Sequence, residues 1–110
     1  MEKTKVFLCG AYIQAPADDV CEKFARAEQQ VRSIDCEPVS PLNNGLPPTA
    51  PFSQHLVANI ELLRDCAAIY LMTDWGATSC SRIEHFIATE MGFEMLEQPQ
   101  YMGAHELQQH

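Results

Sequence analysis

Side chains able to do chemistry gather in three polar stretches, each placed after a short β-prone run. One stretch follows the run KVFLCG at 5–10, one is the proline-rich segment 41–51, and one covers 73–81. Carboxylates there could act as nucleophiles or proton donors, while hydroxyls and amides could orient a substrate. The candidates in and just beyond these stretches are Tyr12, Gln14, Asn43, Asn44, Asp74, Ser79, Ser81 and Glu84.

Glu84 has two interpretations. The segment Ser81-Arg82-Ile83-Glu84 fits the S-x-x-E capping box, in which Ser81 caps a helix and Glu84 reaches back to its amide. Alternatively, a carboxylate in the first turn of a helix that opens at a sheet edge faces a pocket and could act as a nucleophile. Spacing alone favours the cap.

The other candidates also allow a plain and a chemical interpretation. Asp74 directly follows a predicted strand, so it either bonds its own backbone in a turn or serves Glu84 as a general acid or sugar ligand. Gly10 stands alone before Tyr12, so the G-x-G-x-x-G fingerprint of dinucleotide binding is absent. Cys80 precedes a predicted helix, where the N-terminus would lower the thiol pKa. No histidine lies at a spacing that supports a cysteine nucleophile.

Alternating strands and helices must position these side chains. Periodicity predicts strands at 5–10, 36–40, 67–72 and 93–96, and helices at 18–33, 53–65 and 82–91. Ser53 is the expected N-cap of the second helix, and Gly92 is expected to end the third. The order βαβαβαβ predicts a three-layer α-β-α, flavodoxin-like, doubly wound parallel sheet of four to five strands, with ligands at the carboxyl edge.

Apolar spacing also predicts which face each helix buries. Leu56, Ile60 and Leu63 form the expected inner stripe of the second helix. The expected inner face of the third helix consists of Ile83, Phe86, Ile87 and Met91. We expect one α/β domain over 1–96 and a polar C-terminal tail over 97–110.

Composition excludes several classes of protein. Seven basic residues against fifteen acidic ones give a net charge of -8, which argues against a nucleic-acid polymer or an anionic membrane as partner. No apolar run reaches the roughly 18 residues of a membrane span. Five cysteines without a CxxC pair or a zinc spacing predict a reducing, cytoplasmic setting, with no metal and no cofactor.

Three segments together resemble the nucleoside 2-deoxyribosyltransferase-like superfamily. They are KVFLCGAYI, the proline-rich loop and LLRDCAAIYLMTDWGATSCSRIEHFIATEMG, and the chain is most similar to a branch of small bacterial and phage domains without assigned activity. In the superfamily's enzymes, a glutamate at the start of the corresponding helix attacks the anomeric carbon of a nucleoside. The matching residue is Glu84, so the resemblance reverses the preference for a cap. Tyr12 matches a region that contacts substrate, and Asp74 is the best second carboxyl.

The resemblance implies retaining glycosidic chemistry, in which a glycosyl-enzyme passes its sugar to water or another base. We therefore predict a nucleoside or nucleotide N-glycosidic hydrolase or deoxyribosyltransferase. Backbone amides near 79–82 could hold a 5′-phosphate, and a homo-oligomer is expected.

Two departures keep other functions open. Relatives often have an acidic residue where this chain has Asn59, and Cys-Asp where it has Cys66-Ala67. These changes favour a nucleotide-binding module without chemistry, in which Asn59 still contacts the ligand. A structural or assembly domain, in which Glu84 is only a cap, is the third hypothesis.

Overall fold

A parallel sheet with helices on both faces organises the chain in a computed structural model that describes residues 3–12 and 17–99. The strands are β1 (Lys5–Cys9), β2 (Glu37–Val39), β3 (Ala68–Leu71) and β4 (Glu94–Glu97). The helices are α1 (Ala17–Ser33), α2 (Phe52–Arg64) and α3 (Ser79–Glu90), with 3-10 turns at Pro41–Asn43 and Trp75–Ala77. Over these described residues the strand order is β2-β1-β3-β4, and every pairing is parallel. The predicted flavodoxin-like architecture is confirmed, with four strands.

The run in β1 is apolar without alternation because both faces of the sheet are covered. Val6 and Leu8 pack with the inner face of α1, whereas Phe7 and Cys9 pack with residues of α2 and α3. All four side chains are fully buried. This strand lies between β2 and β3, so the chain's direction of winding switches beside it. The loops after β1, β2 and β3 therefore meet at one carboxyl edge.

Gly10 lets the first of these loops cross close to the third strand. A Cβ atom placed on Gly10 would lie 2.6 Å from the Sδ atom of Met72. Met72 is buried, and its amide donates to the Cys9 carbonyl at 2.9 Å. The loop that carries Tyr12 is thus held against the end of β3.

The predicted helix starts were wrong in two places. α2 begins after Pro51, which makes no side-chain cap, so Ser53 lies inside the helix. α3 begins at Ser79 because the Thr78 hydroxyl accepts from the Ser81 amide at 3.3 Å. The N-cap of α3 is therefore Thr78, three residues before the predicted cap Ser81. Glu84 consequently lies in the second turn, and the predicted capping box does not form.

The predicted inner faces of both helices also need correction. α2 buries His55, Asn59 and Leu63 most deeply, and only Leu63 belongs to the predicted stripe. Phe86 and Met91 of the expected α3 face are 62% and 50% exposed. The buried residues of α3 are instead Cys80, Ser81, Glu84 and Ala88. Apolar periodicity failed because polar side chains face inward and bond one another.

The end of α3 agrees with the sequence prediction, whereas β4 ends one residue later than predicted. Gly92, with a φ of 75°, ends α3 as predicted, and the Phe93 amide donates to the Ala88 carbonyl at 2.9 Å. β4 reaches Glu97, one residue beyond the predicted domain end, and the predicted tail from 100 onwards lies outside the described residues. Among the described helices, none combines the length and apolarity needed to cross a membrane.

We expect Thr78→Ala to lower the free energy of unfolding by about 1 kcal/mol, because the α3 cap is lost. Ser53→Ala is the matched control, since that hydroxyl lies on an exposed helical position and caps nothing. Urea unfolding of both variants measures the difference. Equal midpoints for the two variants would contradict the assignment of Thr78 as the cap.

Candidate functional site

Side chains from four parts of the chain form one hydrogen-bonded network at the carboxyl edge of the sheet. Tyr12 follows β1, and Asn44 ends the 3-10 turn after β2. His55 and Asn59 stand one turn apart on α2, and Glu84 projects from α3. Helical spacing of four residues places His55 and Asn59 on the same face, towards the sheet.

Asn59 is the centre of this network and is fully buried. Its Nδ2 donates to the Tyr12 hydroxyl and to Glu84 Oε2, each at 2.9 Å. Its Oδ1 accepts from Asn44 Nδ2 at 2.9 Å. Both amide hydrogens and the carbonyl are used, so the orientation of the side chain is determined.

Glu84 is a buried carboxyl with 1% of its surface exposed. Burial raises its pKa from 4.5 to about 7, and hydrogen bonds from Cys80, Asn59 and Cys9 oppose that rise. Within residues 3–12 and 17–99, no lysine or arginine pairs with it. A buried carboxyl with a raised pKa and no countercharge marks a candidate functional site.

Two thiols surround this carboxyl. Cys80 Sγ donates to Glu84 Oε2 at 3.2 Å, and Cys9 Sγ donates to the Ser81 carbonyl at 3.3 Å. Burial, followed by the charge of Glu84, raises the pKa of Cys80 to about 12 and that of Cys9 still higher. The predicted lowering of the Cys80 pKa at the helix start was wrong, because desolvation and the neighbouring carboxylate oppose ionisation. Both thiols act as hydrogen-bond donors.

We expect iodoacetamide at neutral pH to alkylate Cys21 long before Cys9 or Cys80. Cys21 is exposed, whereas the other two are buried and their thiolates are disfavoured. Peptide mass spectrometry over a time course measures the order, with a guanidinium-unfolded sample as the control for full reactivity. Early labelling of Cys80 would contradict the burial described here.

Asp74 does not contact Glu84. Its Oδ1 accepts from the Ala11 amide at 3.2 Å, and its Oδ2 forms an ion pair with Lys23. Both oxygens are therefore engaged as acceptors, which suits a residue that fastens the first loop to the end of β3. These contacts favour a positioning role over the predicted role as proton donor.

The remaining predicted residues take different positions. Asn43 is exposed, and its neighbour Asn44 enters the network instead. Ser79 is exposed and accepts from Arg82 Nη2 at 3.1 Å. Ser81 is buried, but its hydroxyl bonds Thr78 Oγ1 at 2.7 Å and the Trp75 carbonyl. Gln14 lies outside the described residues.

The predicted phosphate site at the start of α3 is partly occupied by the protein itself. The Ser81 amide donates to Thr78 Oγ1, and the Arg82 amide donates to the Thr78 carbonyl at 3.1 Å. Sequence reasoning missed His55, although its position four residues before Asn59 on one helical face was the available signal.

A cavity of about 280 Å³ adjoins the network. Prolines and leucines of the loop after β2 form its apolar wall, and Tyr12, Asn44 and His55 form its polar wall. Glu84 lies behind this polar wall, reached through Tyr12 and Asn59. In the part of the chain that the structure describes, no cluster of acidic, histidine or cysteine side chains is arranged to hold a metal ion.

The chain shares its fold with a protein of known structure and belongs to a known family. The architecture is the fold of a solved 2-desoxiribosyltransferase, which agrees with the fold that the resemblance implies. The chain belongs to the family described as "Domain of unknown function (DUF4406)", whose model matches residues 4–97. No curated protein matches the chain.

A solved structure of a 2-desoxiribosyltransferase from Leishmania mexicana superposes with a TM-score of 0.63 at 19% identity. The match covers 86% of this chain and 63% of that one, so this chain spans less than two thirds of the transferase. At this level of identity the likeness shows a shared fold.

Proposed function

We propose that this protein cleaves the N-glycosidic bond of a nucleoside or nucleotide and passes the sugar to water or to a second base, with Glu84 as the nucleophile. The observation that carries the proposal is the buried Glu84 carboxyl, which is held by Asn59 and has no cationic partner among the described residues. A cavity at the switch point of the sheet is lined by Tyr12, which Asn59 connects to Glu84. The fold shared with a 2-desoxiribosyltransferase supports a nucleoside as ligand.

The reaction would proceed in two displacements. Glu84 attacks the anomeric carbon, the C–N bond breaks, and its electron pair leaves with the base, which takes up a proton from solvent. Water or a second base then attacks the same carbon, loses a proton to solvent and releases the Glu84 carboxylate. Oε2 already accepts from Asn59 and Cys80, so we assign Oε1 as the attacking oxygen.

Access to Glu84 requires a local rearrangement, because the residue is 1% exposed. Tyr12 and Asn59 lie on the hydrogen-bonded path between the cavity and the carboxyl, so their movement would admit the sugar. Asp74 would keep the start of this loop fixed through the Ala11 amide while the Tyr12 side chain moves.

A second candidate is a nucleotide-binding module without chemistry. The cavity lining favours it, because Glu84 is not part of that lining and a carboxyl that cannot reach a sugar cannot react. Asn59 favours it as well, because an amide cannot supply the proton that a carboxylic acid in its place would offer. A homo-oligomer remains part of the proposal, and size-exclusion chromatography with light scattering would test it.

The test measures release of free base from a panel of nucleosides and nucleoside monophosphates by chromatography. We expect release by the wild type and a loss of at least about a thousandfold in Glu84→Gln and Glu84→Ala. Glu90→Gln is the matched control, because that residue is exposed on the same helix and should leave the rate unchanged.

Release that persists in Glu84→Gln would overturn the assignment of the nucleophile. No release from any compound by folded wild type, together with thermal stabilisation by the same compounds, would support the binding module instead.

A further inference from the structure

The contacts of His55 Nδ1 assign the tautomer of the imidazole ring, and with it the proton on Nε2. His55 Nδ1 lies 3.0 Å from Asn44 Nδ2 and 3.1 Å from the Tyr12 hydroxyl. The Asn44 amide is oriented by its other contacts, since its Oδ1 accepts from the Leu46 amide at 3.0 Å and its Nδ2 donates to Asn59. One Asn44 Nδ2 hydrogen goes to Asn59, and the other lies nearer His55 Nδ1, at 3.0 Å, than the Tyr12 hydroxyl, at 3.4 Å. We therefore assign His55 Nδ1 as the acceptor of that hydrogen.

An imidazole that accepts through Nδ1 carries its proton on Nε2. His55 is 2% exposed, and its Nε2 has no hydrogen-bond partner among residues 3–12 and 17–99. His55 also lines the cavity, although Nε2 itself is closed to solvent, so a ligand reaches this atom only when the adjoining cavity wall moves. A buried N–H group without a partner is unfavourable, and an acceptor atom on a ligand would relieve that cost.

The cavity offers no countercharge to a phosphate. Its described lining contains no lysine or arginine. Lys23, on α1, is already paired with Asp74, and the Ser81 and Arg82 amides already donate to Thr78. Its volume of about 280 Å³ lies near the lower end for small-molecule sites, which suits a compact ligand.

We infer that this cavity binds an unphosphorylated nucleoside, and that His55 Nε2–H donates a hydrogen bond to an acceptor atom of the base. The choice of a nucleoside rests on the proposed function, whereas the donor at Nε2 follows from the network itself. Tyr12 and Asn59 connect this donor to Glu84, so recognition and the proposed chemistry share one set of hydrogen bonds.

Two variants separate the functions of the two ring nitrogens. His55→Asn places a carbonyl near the position of Nδ1 and keeps the acceptor for Asn44, but it loses the donor at Nε2. His55→Gln places an amide N–H near the position of Nε2 and keeps the donor, but it loses the Nδ1 acceptor. Circular dichroism and urea unfolding establish that each variant is folded.

Calorimetric titration compares 2′-deoxyuridine and 2′-deoxyadenosine with their 5′-monophosphates, in wild type and in Glu84→Gln, which should leave the ligand intact. We expect at least one nucleoside to bind more tightly than its monophosphate. We expect His55→Asn to weaken that binding roughly tenfold, and His55→Gln to weaken it less. Equal weakening by both variants, or tighter binding of the monophosphate, would overturn the inference.

Cys21 supplies a second measurement that leaves His55 unchanged. This exposed thiol lines the cavity, whereas Cys36 does not. The bound nucleoside should slow alkylation of Cys21 severalfold while Cys36 reacts at its usual rate. Saturating nucleoside without protection of Cys21 would place the ligand elsewhere and overturn the inference.

The two proposals fail in different ways. Binding with the expected His55 pattern, but without base release, removes the proposed chemistry and leaves the recognition by His55 in place. Base release that is lost in Glu84→Gln, with binding unaffected in His55→Asn, does the reverse.

Discussion

Above about pH 8, Glu84→Gln is expected to be more stable than wild type by about 3 kcal/mol. Glu84 is 1% exposed, and burial raises its pKa from 4.5 to about 7. A glutamine of the same size can still accept from Asn59 and Cys80 without bringing a charge into the core. The difference between the two pKa values corresponds to about 3 kcal/mol of unfavourable burial of the ionised form.

The sign of the pH dependence follows from the raised pKa. Below about pH 4.5 the carboxyl is neutral in both folded and unfolded chains, so its burial carries no charge penalty. Between about pH 4.5 and 7 the unfolded chain loses its proton while the folded chain keeps it. Stability from this group therefore falls as pH rises through that interval, and the loss is complete above about pH 7.

Urea unfolding at several pH values measures this effect. The stability difference between Glu84→Gln and wild type should be within about 1 kcal/mol near pH 5 and should grow towards its full size by pH 8. Glu90→Gln, an exposed change on the same helix, should follow wild type throughout. A constant difference between Glu84→Gln and wild type across this range would contradict the raised pKa.

Asn59→Ala is expected to destabilise the protein by about 3 kcal/mol or more. The change removes one hydrogen bond each from the Tyr12 hydroxyl, Asn44 Nδ2 and Glu84 Oε2, all of them made to the fully buried Asn59. Each lost hydrogen bond costs about 1 kcal/mol, and the deleted atoms leave a cavity as well. Part of the cost falls on the folded carboxylate, which loses its closest donor.

Asn43→Ala is the matched control for this variant, because it removes the same atoms from an exposed neighbour of the site. Its free energy of unfolding should stay within about 0.5 kcal/mol of wild type. A double-mutant cycle of Asn59→Ala with Glu84→Gln should show coupling between the two positions. A loss below about 1 kcal/mol in Asn59→Ala, or additive effects in the cycle, would contradict the network.

At neutral and higher pH, the buried Glu84 carboxyl makes the protein less stable than a neutral side chain of the same size would. Replacing the buried carboxyl by its neutral isostere should stabilise the fold, while the proposed activity depends on that carboxyl. Such an exchange of stability for reactivity is common in functional sites. This exchange supports a functional role for the Glu84 network.

Sequence alone determined the architecture, because the signals for it are local. Seven alternating elements, an apolar first strand and the C′ glycine at Gly92 each depend on residues near in the chain. Tyr12, Asn59 and Glu84 were also identified from sequence, and the structure places all three in one network. Asn43 and Asn44 could be selected only as a pair, since the turn at Pro41–Asn43 decides which of them points inward.

Only the tertiary structure decided which helical faces are buried and which partners the carboxylates have. Apolar periodicity predicted the wrong inner residues on α2 and α3, because it cannot register polar groups that satisfy one another across elements. Asp74 pairs with Lys23, which is 51 residues away in the chain, and Glu84 bonds Asn59, which is 25 residues away. Contacts between residues so far apart in the chain depend on how the helices pack on the sheet. The environment of Glu84 therefore forms only in the folded chain, and so does the raised pKa that distinguishes the site.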